Sequence, residues 1–195
     1  MFLRSILPVA AAVSAAAVLA VAGPAAAQTT LRTENGLGAM TLPTGIERHP
    51  LGGDTADTRS FIVRRPGQTG LDWAGLCMVS ITNPPKPPTM ETWTTLAGIY
   101  QNGAEQKARD RVTGKGGTFQ KMLLNKPWTS KTGWPGWFTA YQATTKEGVS
   151  ESSVFAGTQL AADVRVVLSC TSSDNETFTP ADLAVIEKLS QSVSL

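Results

Sequence analysis

The sequence predicts an α+β protein: an antiparallel β-sheet covered by helices in an α/β/α sandwich, built as a single domain and closed by one disulfide. Three stretches carry that expectation. Asp163–Cys170 is a β-branched run that leads through a polar turn into a capped helix. Thr118–Thr158 holds alternating runs separated by short glycine turns, as antiparallel neighbours require. Thr89–Ala104 is an amphipathic helix entered from a stiff proline segment.

The chain opens with Arg4, an apolar run Ile6–Ala22 and the small residues Ala25, Ala26 and Ala27, the layout of a secretory signal peptide over 1–27 cleaved before Gln28. The alternative is an uncleaved anchor helix, which Pro8 and Ser14 interrupt. Residues 28–36 are polar and are expected to form a flexible N-terminus, with the domain running from 37 to 195. No later apolar run approaches spanning length, so the processed protein is expected not to span a membrane and to be periplasmic or secreted.

Leu37–Leu42 and Arg59–Arg65 have strand patterns, with loop residues His49–Asp57 between them. Leu71–Thr82 gives a stronger strand, with Trp73, Gly75, Cys77, Val79 and Ile81 on one face. Asn83–Pro88 cannot donate sheet hydrogen bonds at its prolines and so leads out of the sheet. Thr89 then caps a helix whose apolar stripe is Trp93, Leu96, Ala97, Tyr100 and Ala104, with Gly103 bending or shortening it. Val112–Gly117 is glycine-rich but lacks the spacing of a phosphate-binding loop, and reads as a turn. Thr118–Trp128, Trp137–Thr145 and Val149–Thr158 are strands, the last two joined by a Lys146–Glu147–Gly148 turn. In the strand Asp163–Cys170, Val164, Val166, Leu168 and Cys170 share a face. Thr179, Pro180 and Asp182 form a helix start, flanked by Phe178 and Leu183 as a hydrophobic staple. Leu183, Ile186 and Leu189 then keep helical spacing.

Cys77 and Cys170 are the two cysteines. In an exported chain they read as a disulfide, the alternative being two buried free thiols. Closing the loop between positions 77 and 170 is worth about 4–5 kcal/mol by chain entropy. The net charge is only +2, but residues 107–131 hold Lys107, Arg109, Arg111, Lys115, Lys121, Lys126 and Lys131 against Asp110 alone. Such a block is either an anion-binding face or an ordinary solvated one.

Catalytic signals are sparse. His49 is the single histidine, set before a proline in a loop, and no nucleophile elbow occurs. No metal-ligand spacing and no cofactor fingerprint is present, so the sequence gives no catalytic residue, metal or cofactor. Three of the five tryptophans, Trp128, Trp134 and Trp137, follow the basic block around a Pro135–Gly136 turn. Aromatics beside cations suit a ligand with apolar or sugar faces and negative charge. Lys115, Lys121, Lys126, Trp128, Lys131 and Trp134 are therefore the candidate binding surface, the alternative being that Trp128 and Trp137 are core.

The late meander Gly133–Tyr141, Ser150–Gly157 and Val164–Cys170, followed by the capped helix Thr179–Val193, resembles the Mog1/PsbP-like α/β/α sandwich family. The similarity covers the order of elements from Leu37 onward and contains no motif that transfers a functional residue. It implies an antiparallel sheet between helices and, because most members are non-enzymatic, a binding or assembly role. The first expectation is accordingly an exported, non-catalytic domain that contacts an envelope protein, a glycan or an anionic lipid head group. The second is an envelope-acting hydrolase with carboxylates brought together by folding. Nucleic acid is not expected as a partner, given export and a nearly balanced charge.

Overall fold

Alternation between Ile46 and Ser172 resolves into a seven-stranded sheet in the computed structural model, which describes residues 29–195; the segment expected to be a signal peptide lies outside the described residues. In chain order the elements are β1 (Thr30–Arg32), β2 (Ala39–Thr41), β3 (Ile46–Arg48), β4 (Thr58–Val63), β5 (Gly75–Thr82), α1 (Met90–Asn102), α2 (Ala104–Gly114), β6 (Thr118–Thr129), β7 (Pro135–Thr144), β8 (Ser150–Ala161), β9 (Val164–Ser172), α3 (Pro180–Ser192) and β10 (Val193–Ser194). The large sheet runs β3-β4-β5-β9-β8-β7-β6, with every neighbouring pair antiparallel. A small sheet, β1-β2-β10, ties the first described residues to the end of the chain.

One face of the large sheet packs on α3. Phe61, Val79, Ile81, Phe138, Ala156, Val166 and Leu168 meet Leu183, Ile186 and Leu189 in a single buried cluster. Each fully buried side chain of this kind contributes about 1.5–3 kcal/mol. Cys77 and Cys170 sit in the same cluster as directly opposed residues of β5 and β9, bridged by a disulfide with a Cα–Cα distance of 4.0 Å. The start of α3 is held from several sides. Thr179 Oγ1 accepts the Asp182 N–H at 3.2 Å, and Asp182 Oδ2 accepts the Thr179 N–H at 2.8 Å. The guanidinium of Arg65 donates to both Asp182 oxygens, and to Glu176 and the Thr177 carbonyl. The Phe178 ring lies on Gly75, where a Cβ would approach it to 2.6 Å, so only glycine fits there.

The opposite face carries α1 and α2, which lie over β7 and β6. The α/β/α sandwich, the antiparallel sheet and the disulfide match the sequence reading. Four local features differ from it. Thr30–Arg32, inside the segment expected to be irregular, is a strand that pairs with β2. β3 was not anticipated, because three residues show no period. Trp73 precedes β5 and packs edge-on against His49 at 5.5 Å. Most consequentially, the chain does not turn at Val112: after a break at Gly103 it continues as α2 to Gly114. The apolar stripe of α2, Ala104, Ala108 and Val112, is narrow and set among charged residues, which hides it from a search for amphipathic periodicity. Among the described residues no helix is long and apolar enough to cross a membrane.

Candidate functional site

α2 organises the site. Ala104, Ala108 and Val112 are buried one turn apart, and Ala108 and Val112 pack on Tyr141 and Ala143 of β7. Helical spacing therefore sets Lys107, Arg111 and Lys115 in a second row alongside them. Lys107 Nζ lies 4.7 Å from the centre of the Tyr100 ring, and Arg111 Cζ lies 4.4 Å from that of Phe155. The rings are fixed in turn: Tyr100 stacks on Trp137 at 4.3 Å, and Trp137 lies flat on its cross-strand partner Gly157, where a Cβ would meet the indole at 2.5 Å. None of these three cations has a carboxylate partner among the described residues, in contrast to their neighbour Arg109, which pairs with Glu105 at 2.6 Å.

The helix layer does not extend over the whole sheet. Beyond β8 the face is open enough to leave Met78 of β5 46% exposed. At the boundary a cleft of about 520 Å³ lies between the end of α2, the β7–β8 hairpin and the sheet. Arg111 and Lys115 line it from the end of α2, Lys146 and Glu147 from the β7–β8 turn, where Lys146 comes within 3.4 Å of a Cβ placed on Gly116, and Glu151 from β8. Tyr141, Ser153 and Thr171 form its floor; they are direct register neighbours on β7, β8 and β9, so their side chains stand about 5 Å apart in a row. Some lining groups are engaged: Thr144 accepts from Gln120, Thr145 from the Val149 N–H, and Lys146 lies 3.5 Å from Glu147. Lys115, Tyr141, Glu151, Ser153 and Thr171 make no side-chain hydrogen bond among the described residues. Tyr141 is notable because it is only 4% exposed yet lines the cleft with an unpartnered phenol.

The basic block of the sequence does not converge. Lys115 lines the cleft, whereas Lys121 stands opposite Gln142 on the α3 side of the β6 edge. Lys126, also on that side, pairs with Glu187 of α3. Lys131 is exposed in the β6–β7 turn, and Trp134 is half-buried against Trp93 and Trp137. Trp128 is 5% exposed and belongs to the α3-side core, which corrects its place in a surface: strand alternation points it inward, together with Phe138. Sequence reading named Arg111 and Lys107 as members of the block but missed that they, rather than Lys121, Lys126 and Lys131, accompany Lys115. Their i, i+4, i+8 spacing was the available signal. The hydroxyl row was not legible without strand register.

Two carboxyls are displaced from their ordinary range, and neither lines the cleft. Thr55 is the main cause that holds the exposed Asp57 low. Burial pushes Asp182 up, but the hydrogen bonds from Arg65 and from the Thr179 N–H and hydroxyl outweigh it and hold Asp182 below the usual range. Reciprocally, the Asp182 hydrogen bond raises Arg65. Both carboxyls thus move opposite to the direction a general acid requires. His49 Nδ1 is engaged with the Gly52 carbonyl at 2.9 Å. Among the described residues no group of three or more His, Cys, Asp and Glu side chains is placed to hold a metal ion.

No protein-family model matches the chain, and no match was found among curated proteins. Among solved structures the fold is similar to cyanobacterial PsbP (CyanoP) from Synechocystis sp. PCC 6803, solved in solution: 11% identity over 89% of this chain and 95% of that one, with a TM-score of 0.50. At that identity the likeness concerns the fold alone, which is PsbP-like, in agreement with the resemblance drawn from element order.

Proposed function

We propose that this chain is an exported, non-catalytic binding or assembly domain that contacts an anionic partner of the cell envelope through the row Lys107, Arg111 and Lys115. The observation that carries this reading is the row itself: three cations without carboxylate partners among the described residues, two of them seated on fixed rings and two, Arg111 and Lys115, lining an open cleft. The carbonyl end of α2 offsets only about half a charge, less than the row supplies. Export is supported by the signal-peptide layout of residues 1–27, with the domain following it, and by a disulfide of the kind retained in oxidising compartments. A binding or assembly role also agrees with what the PsbP-like resemblance implies.

Retention of the oxidised protein on polyaspartate beads tests the reading. Arg111→Gln combined with Lys115→Gln should lower the salt needed for elution, while Lys121→Gln combined with Lys131→Gln should leave it nearly unchanged. The reverse pattern would move the contact surface to the β6 side, and a wild-type protein that is not retained at low salt would end the proposal.

A further inference from the structure

We infer that the cleft beside α2 takes an acidic sugar, a saccharide unit bearing a carboxylate or phosphate. This rests on the reading of the α2 row as an anion-binding wall and adds what the rest of the cleft selects. Its volume of about 520 Å³ lies within the range of small-molecule sites. A site made only for charge would need the wall alone. Here the floor is a row of three hydroxyls, Tyr141, Ser153 and Thr171, on adjacent strands, and β8 adds the carboxylate of Glu151 beside them. Hydroxyls both donate and accept, and a carboxylate accepts, so together they match the several hydroxyls of a sugar ring. The phenol of Tyr141 is the decisive group. Its ring is buried, while its hydroxyl makes no hydrogen bond among the described residues and lines the cleft, so it is free to pair with a ligand hydroxyl without first breaking a protein contact.

The same arrangement disfavours an anionic bilayer. Glu147 and Glu151 also line the cleft, where they disfavour a flat negative surface, whereas a single sugar turns its acid group to Arg111 and Lys115 and its hydroxyls to Glu151. Arg111 is held over Phe155, so its guanidinium is positioned before the ligand arrives.

The test is isothermal titration of the oxidised full chain with glucuronate, glucose 6-phosphate, glucose, inorganic phosphate and phosphatidylglycerol vesicles. Glucuronate or glucose 6-phosphate should bind at least tenfold tighter than glucose or inorganic phosphate. Tyr141→Phe, with an unchanged melting temperature, should lose most of that margin, and Ser153→Ala part of it. Lys121→Gln should leave it intact. Equal binding of every anion, vesicles included, with no effect of Tyr141→Phe would overturn the sugar assignment and keep the anion-binding wall. Glucose binding as tightly as glucuronate would overturn the acidic part. Retention on polyaspartate with no binding of either acidic sugar would overturn this inference alone, while loss of both would overturn the proposed function as well.

Discussion

On the α3 side of the sheet Asp182 and Lys126, beside the core, both have charged partners. Asp182 is held by Arg65 and Thr179, and Lys126 by Glu187; the disulfide lies in the apolar cluster beneath. On the α2 side Lys107 and Arg111 stand on aromatic rings, Lys115 faces a cleft, and the cleft-floor hydroxyls of Tyr141, Ser153 and Thr171 make no side-chain hydrogen bond among the described residues. The ion pairs on one face of the sheet therefore serve the fold, while the cations and hydroxyls around the cleft on the other are left available. Stability and binding should respond to substitutions on opposite faces.

The largest stability effect is expected from the disulfide. Cys77→Ala combined with Cys170→Ala should lower unfolding stability by about 4 kcal/mol in urea titration, mostly through loss of loop closure in the unfolded chain. A loss below about 1 kcal/mol would mean that the α3-side cluster holds β5 to β9 unaided. Ligand affinity should change little at temperatures where the variant remains folded.

Asp182→Ala should cost about 2 kcal/mol, combining the loss of a helix cap with that of an ion pair whose Arg65 side chain is 29% exposed and so partly screened. The pH dependence has a definite sign. The Asp182 carboxyl titrates lower in the folded protein than in the unfolded chain, so its contribution is full above the unfolded value near 3.9 and is lost as pH falls through the lower folded value. Melting curves between pH 5 and pH 2 should therefore show a steeper acid decline in wild type than in Asp182→Ala. Parallel declines would assign the acid limb to other carboxylates.

Much of the α3 side was legible because its signals are local or compositional. Thr179, Pro180 and Asp182 are adjacent in sequence, the inward residues of β9 alternate cleanly, and two cysteines in an exported chain imply a bridge. Arg65 as the partner of Asp182 was not legible, since 117 residues separate them. The α2 side was legible only as a quantity of charge. Its three-residue stripe fell below the amphipathic signal, and two irregularities in β6, between Phe119 and Lys121 and between Met122 and Leu124, break the alternation that would have shown which lysine faces where. The floor of the cleft depends on the register of three strands, which no single stretch encodes.

The smallest expected effect separates the two faces most directly. Lys126→Gln leaves Glu187, 25% exposed, without its partner, and should cost up to about 1 kcal/mol. Lys115→Gln breaks no pair. It removes one of two like charges a helical turn apart, which favours the folded state by about 0.2–0.5 kcal/mol, and it also removes a favourable cation at the carbonyl end of α2, which disfavours it by about 0.3–1 kcal/mol. The two nearly cancel, so its stability should stay within about 0.5 kcal/mol of wild type while its retention on polyaspartate falls. If Lys115→Gln were the more destabilising substitution, the cation row would be part of the scaffold, and the two faces would differ in composition but not in role.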